Sequence, residues 1–280
     1  MKKFTSLTMA LLLVLCVSAY GSGRSSSSAV GGNTELVVFA AASMTETLEQ
    51  IAELYKKTTP AVKLLFNFDS SGTLKTQIQE GAECDIFISA GQLQMDQLDM
   101  ASDPSVNKER LDFVLQGTRV NLLENKVTLC VPDGNPAGIR SFADLADKLV
   151  SQKLLFAMGN SDVPVGQYTQ RILAFFNLDE KALANSGKIT YGSNVKEVTT
   201  QIKESSVSCG TVYCTDAYSA GLEIVDYATP EMCGQVIYPA AVLNTSKHSD
   251  AAKSFMDYLK TDEAMAVFEK VGFAAAWKRI

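Results

Sequence analysis

Two junctions between an apolar run and a helical pattern carry the most pointed chemistry in this chain, because each holds a serine. The first is Leu36-Val37-Val38-Phe39-Ala40-Ala41-Ala42-Ser43, which runs into a helical pattern over Met44 to Lys57. The second is Phe66-Asn67-Phe68-Asp69-Ser70-Ser71-Gly72, which opens a helix over Thr73 to Glu80. In each, a hydroxyl sits where the first N–H groups of a helix have no internal acceptor. A hydroxyl there either caps the helix or joins those N–H groups and the positive dipole end in holding an anion. Ser43 and Glu46 have the spacing of a capping box. Ser70-Ser71 offers one hydroxyl more than a cap needs, and Gly72 removes a Cβ where a ligand would approach the backbone. The junction residues include no lysine or arginine, so an anion bound here would be held by neutral donors.

Three later features have the same character. Val163-Pro164-Val165-Gly166 follows an apolar strand and precedes a helix, with proline at an ordinary first-turn position. Asn194-Val195 opens another helix, and Asn194 with Glu197 is spaced as a capping box. Tyr213 ends an apolar strand beside a turn, a position more often filled by a core residue than by a ligand. In a parallel α/β sheet all of these junctions fall at the carboxyl edge of the strands, where ligands bind.

Enzyme constellations are weaker. His248 is the single histidine, in the polar run Thr245 to Asp250, so a Ser–His–Asp mechanism using Ser43 or Ser71 would depend on it. No GxSxG, HExxH or Walker-type run occurs, and Asp69 and Asp85 show no supporting partner.

Strand and helix patterns alternate along the chain, which argues an α/β fold with mainly parallel sheets flanked by helices. Strands are expected at Leu36–Ala40, Val62–Phe68, Asp85–Ser89, Lys126–Pro132, Leu154–Met158, Ile189–Tyr191, Thr211–Tyr213 and Val236–Val242. Helices follow most of them. In the first, Leu48, Ile51 and Tyr55 share a face; in the one ending at Phe176, Tyr168, Ile172 and Phe175 should point inward. Ser141 should cap a helix that runs through Leu149. Long connections near Lys126 and Val236 are natural crossings between two lobes, one built from 35–122 and 237–280 and the other from 123–236.

The 280 residues suffice for two lobes, and 46% hydrophobic with 20% charged residues is an ordinary globular composition. A net charge of −6, with no clustered basic face, argues against nucleic acid as a partner and requires any anion site to be local. Lys2 and Lys3 precede the apolar run Leu7 to Val17, and Val17-Ser18-Ala19 supplies small residues for cleavage, so 1–19 reads as a secretory signal. Residues 20–34 read as a Ser/Gly-rich tether, although Tyr20 stands where lipidation would need cysteine. Cys84, Cys130, Cys209, Cys214 and Cys233 form neither a disulfide framework nor a zinc pattern and read as small buried hydrophobes, with a bridge among the last three as the alternative.

The chain resembles the molybdate-binding proteins of ABC transporters. The resemblance lies in Val38-Phe39-Ala40-Ala41-Ala42-Ser43-Met44-Thr45, Ser70-Ser71-Gly72-Thr73-Leu74, Gln77-Ile78, Gly81-Ala82 and Asp85-Ile86-Phe87-Ile88-Ser89-Ala90. It continues through Val163-Pro164-Val165-Gly166-Gln167-Tyr168, Val212-Tyr213 with Asp216-Ala217, Tyr238-Pro239 with Ala241-Val242, and Phe255 with Tyr258-Leu259-Lys260. It thus spans about Leu36 to Phe273.

This resemblance implies a two-lobed periplasmic binding protein of type II that holds molybdate or tungstate in the cleft. Ser43 and Ser71 would donate from the first lobe, and the N–H groups of Val165 and Val195 with the Tyr213 hydroxyl from the second. Gly72 stands where a third serine is often found, and Val165 where alanine is frequent; both still offer N–H. The implied protein is an extracytoplasmic monomer, not an enzyme, with no cofactor. Its partners are the oxyanion and a membrane permease, and it meets the membrane only through that permease or a tether. Molybdate at neutral pH only accepts hydrogen bonds, so a donor-only cavity suits it, at about 1.5–3 kcal/mol per charge-assisted bond. A receptor for sulfate or another tetrahedral oxyanion is the nearest alternative, distinguished by cavity size. A secreted serine hydrolase is the distant one.

Overall fold

The computed structural model describes residues 34–277, so the expected signal segment and nearly all of the expected tether lie outside the described residues. β1 (Thr34–Ala41) ends in a 3-10 turn, Ala42–Met44, and α1 (Thr45–Thr58) follows. β2 (Val62–Asp69) leads to α2 (Ser71–Gln79), and β3 (Ile86–Ile88) to α3 (Gln92–Asp96). β4 (Val120–Asn125) and β5 (Val127–Val131) are separated by Lys126 alone. Then come α4 (Phe142–Ser151), β6 (Phe156–Gly159), α5 (Pro164–Phe175), α6 (Glu180–Asn185) and β7 (Ile189–Gly192). They are followed by α7 (Val195–Lys203), β8 (Cys209–Tyr213), α8 (Cys214–Ala220), β9 (Glu223–Tyr227) and α9 (Pro230–Cys233). β10 (Val236–Val242), α10 (Ser249–Tyr258), α11 (Asp262–Lys270) and β11 (Ala274–Ala275) close the chain.

These strands form two sheets, one per lobe. The first has six strands in the order β11-β4-β10-β3-β1-β2, and the second has five in the order β7-β6-β8-β5-β9. Both are mixed rather than mainly parallel. β1 runs parallel to β2 and β3, and β6 parallel to β7 and β8, but β4, β5, β9, β10 and β11 pair antiparallel. The antiparallel set includes the strands that carry the chain between the lobes, and a strand arriving from the other lobe has no crossover helix to bring it in parallel. The lobe boundary expected between residues 122 and 123 falls inside β4. The chain instead changes sheets at Lys126, and it returns between β9 and β10.

The core follows from the apolar spacing. α1 buries Leu48, Ile51 and Tyr55, and the Tyr55 ring packs on Phe255 and Tyr258 with centroids 5.0 and 4.9 Å apart. Burying each such side chain contributes about 1.5–3 kcal/mol. On α5 the inward stripe is Val165, Tyr168, Thr169, Ile172 and Leu173. Phe175, expected inward, is 49% exposed, because Leu173 takes its place on the buried face. Phe175 packs edge-on against Phe176 instead. Cys84, Cys130, Cys209, Cys214 and Cys233 are free and buried. Among the described residues no helix is long and apolar enough to cross a membrane.

Candidate functional site

The parallel strands β1, β2, β6, β7 and β8 direct their carboxyl ends toward the gap between the sheets, and the junctions that follow them meet there. Ser43, Ser71, Val165, Val195 and Tyr213 all line one cavity between the lobes. It measures about 10 Å³, enough for roughly one water-sized sphere. Organic-ligand pockets run to about 300–1,000 Å³, far larger than this one. Among the described residues no lysine or arginine lines it.

Each lining residue presents a donor for a local reason. Ser70 caps α2: its Oγ accepts from the Thr73 N–H at 3.1 Å. Ser71, the first helical residue, is therefore free of that duty. Its fully buried Oγ accepts from the Ala90 N–H at 2.9 Å, which leaves the Ser71 hydroxyl proton to be donated. At α5 the cap position is Val163, which has no side-chain acceptor, and Pro164 occupies the first turn, so the Val165 N–H has no intrahelical partner. At α7 the Asn194 Oδ1 accepts from the Glu197 N–H at 3.1 Å, and the first-position N–H of Val195 is left over. The Glu197 carboxylate reaches back to the Ser193 N–H and hydroxyl at 2.7 and 2.8 Å, one residue earlier than the capping-box spacing implied.

Tyr213 ends β8 and donates its hydroxyl to the Ala90 carbonyl of the other lobe at 3.3 Å. Burial, with the nearby Tyr238, Tyr168 and Asp216, holds its pKa well above the ordinary phenol value, so the group is a donor at any physiological pH.

Two sequence expectations are corrected. Ser43 does not cap α1. It lies in the 3-10 turn, α1 begins at Thr45 with no side-chain cap, and the Ser43 Oγ lies 2.9 Å from the Tyr238 hydroxyl. Glu46 accordingly makes no capping box; it pairs with Lys196 on α7. What approaches the bare Cα of Gly72, meanwhile, is the backbone of Asp162 from the second lobe: an added Cβ would stand 2.2 Å from its carbonyl oxygen.

Asp69, Ala90, Tyr238 and Asn125 were not legible as site residues. Asp69 lines the cavity, but its Oδ1 accepts from the Ser70 N–H at 2.7 Å and faces the Asn194 amide at 3.5 Å. His248 lines a separate cavity of about 300 Å³ with Glu35, Cys84 and Asp85, so neither serine has a histidine to activate it. Asp85 serves the fold: its side chain accepts from the Val37 N–H and from Ser246. Among the described residues no cluster of histidine, cysteine or carboxylate ligands could hold a metal ion.

Comparison with known proteins agrees with this geometry. Residues 36–274 match a family described as bacterial extracellular solute-binding protein. A protein of Bacillus subtilis, provisionally described as an ABC transporter substrate-binding lipoprotein, is 34% identical over 98% of this chain and 99% of its own. The molybdate-binding protein of Mycobacterium tuberculosis is 31% identical over 94% of each chain. A sulfate-binding protein of Synechococcus elongatus is more distant, at 24% over 97% of this chain and 82% of its own. Among solved structures, the periplasmic molybdate-binding protein of Azotobacter vinelandii superposes with a TM-score of 0.72 at 21% identity, covering 86% of this chain and 100% of that one, which shows the shared fold.

Proposed function

We propose, from the premise that this chain belongs to the bacterial extracellular solute-binding proteins and is a binding protein of ABC transport rather than an enzyme, that its cargo is molybdate. Tungstate, of the same charge and shape, would share the site. The observation that carries this reading is the convergence of Ser43, Ser71, Val165, Val195 and Tyr213 on one cavity too small for an organic solute. All five carry an N–H or O–H group, that of Tyr213 resting on the Ala90 carbonyl until an anion takes its place, and molybdate at neutral pH has only oxygens to offer in return. Phosphate at neutral pH still carries a proton and would need an acceptor. The one carboxylate in the lining, Asp69, has its Oδ1 engaged by the Ser70 N–H and the Asn194 amide.

In this reading residues 1–19 export the chain, 20–34 form a tether, and the two lobes act as a monomer on the outer side of the cytoplasmic membrane. Closure of the lobe built on β1–β4, β10 and β11 onto the lobe built on β5–β9 buries the anion, and the closed form is the one a permease accepts.

Sulfate is the competitor to test, since a sulfate-binding relative exists and sulfate has the same charge and symmetry. Titration calorimetry should give submicromolar binding of molybdate and tungstate and at least 100-fold weaker binding of sulfate, about 2.7 kcal/mol or more. Ser71→Ala should lower molybdate affinity by about ten- to a hundredfold. Sulfate binding as tight as molybdate would overturn the assignment.

A further inference from the structure

Asp216 has one cation within ion-pair distance among the described residues, and must share it. It stands in the first turn of α8, fully buried, and neither of its carboxylate oxygens accepts a hydrogen bond from the described residues. Lys196 Nζ lies 3.4 Å from its Oδ1 but holds both oxygens of Glu46 more closely, at 2.7 and 2.8 Å. Lys196 and Asp216 both belong to the second lobe, whereas Glu46 belongs to the first. The other groups around Asp216 bring it no positive charge. Tyr213 on β8, Cys130 on β5, Tyr238 on β10 and Cys214 on α8 itself are acids that burial keeps protonated. On α7, Glu197 is taken by Ser193, and Lys203 stands at the opposite end of the helix. β9 carries Asp226, which accepts from the Phe142 N–H, and the exposed Glu223 and Tyr227. Lys126 is exposed and lies over the Tyr227 ring, 5.9 Å from its centroid.

We propose that Asp216 is a proton-binding site coupled to the anion site, so that capture of the dianion draws a proton from solvent onto this carboxylate and release returns it. The inference rests on the anion-site reading and deepens it, from a cavity that holds a dianion to one that takes a proton with it. When the lobes part, Glu46 leaves and Lys196 serves Asp216 alone, which favours the ionised carboxylate. When they close, Glu46 takes the lysine and adds a negative charge, and the dianion beside Val195 adds two more. A buried carboxylate facing that charge without a hydrogen bond keeps its proton. Burial, offset in part by Lys196 and reinforced by Glu46, raises the Asp216 carboxyl to about 6 with the lobes in contact. The closed form thus binds the proton more tightly than the open one. Affinity is therefore highest where both forms are protonated, and it falls as pH rises through about 6.

The test is calorimetry of molybdate binding to the full mature protein, in two buffers of different ionisation enthalpy. Near pH 6 the parent should take up a substantial fraction of a proton per molybdate. Its affinity should fall roughly tenfold between about pH 5 and about pH 8. Asp216→Asn keeps the shape of the side chain and should bind molybdate with no uptake and no such pH dependence. Glu46→Gln leaves Lys196 to Asp216 in the closed form as well and should reduce the uptake to half or less. It is a substitution at a half-exposed position and serves if Asp216→Asn does not fold. His248→Gln removes the single histidine and should leave the uptake at the parental value.

A parent that binds molybdate without proton uptake, or uptake retained in full by either carboxylate variant, would overturn the proposal while leaving the anion site standing. Loss of uptake in His248→Gln would also overturn it. Absence of any oxyanion binding by the parent across this pH range would instead overturn the site reading, and this inference with it.

Discussion

Lys196 in the second lobe holds both carboxylate oxygens of Glu46 in the first, with Nζ 2.7 and 2.8 Å from them. Lys196 stands next to Val195, so this ion pair spans the cleft beside the proposed anion. It can form only when the lobes meet. Both side chains are partly exposed, at 32% and 51%, so water screens the pair and its contribution is modest. Glu46→Gln should therefore speed oxyanion release by about two- to fivefold, and the difference from the parent should shrink at high salt. Stopped-flow release rates at low and high ionic strength check this.

Gly72 is a point of close contact between the lobes, with room for no side chain against the Asp162 carbonyl. Gly72→Ala sits in the first turn of α2, where alanine suits the helix itself. The substitution should leave the unliganded protein folded and with an unchanged or slightly raised melting temperature. It should reduce anion affinity by about a hundredfold or more, because the backbone of Asp162 cannot give way cheaply. Calorimetry and small-angle scattering with saturating molybdate check it: the parent should compact and the variant should not.

Asp216 is fully buried in α8 and reaches Lys196 Nζ at 3.4 Å. Burial pushes its carboxyl up from 3.8 to about 6, a rise that Lys196 partly offsets and Glu46 adds to. Because the folded state holds this proton more tightly than the unfolded chain, the contribution to stability is greatest below about pH 4 and is lost as pH rises through about 6. Asp216→Asn should flatten that part of the stability profile and gain up to about 3 kcal/mol relative to the parent at neutral pH. Urea unfolding between pH 4 and pH 7 measures both. A parent that becomes more stable across this window while the variant does not would reverse the sign.

The thiols should be inert in the folded protein. Burial pushes Cys84 and Cys130 up to about 12 and Cys233 to about 11, and drives Cys209 higher still. Thiolate, not thiol, reacts with alkylating agents. Iodoacetamide at neutral pH should label these positions only on unfolding, as read by peptide mass mapping; rapid labelling of any of them in native conditions would contradict the burial.

The sequence was most legible where structure is decided locally. Val236–Val242 was placed to the residue, and Ser141 and Asn194 cap their helices as their side chains dictate. The meeting of five junction residues in one cavity followed from putting strand ends at a common sheet edge. What failed depended on distant partners. The fate of the Ser43 hydroxyl is set by Tyr238, 195 residues away, and no spacing rule near Ser43 could reveal it. β4 was missed because Val120-Asn-Leu-Leu-Glu-Asn125 is half polar and acquires its strand character from β10. Gly72 was read as making room for a ligand when it makes room for the other lobe, since a bare Cα does not say what will approach it.

Co-crystallisation with molybdate, with data collected across the molybdenum absorption edge, tests the central claim most directly. The account predicts one strong anomalous peak between the lobes, its four oxygens within about 2.7–3.2 Å of Ser43 Oγ, Ser71 Oγ, the Tyr213 hydroxyl and the N–H groups of Val165 and Val195. A peak elsewhere on the molecule, or a site in which a lysine or arginine supplies the contacts, would contradict it.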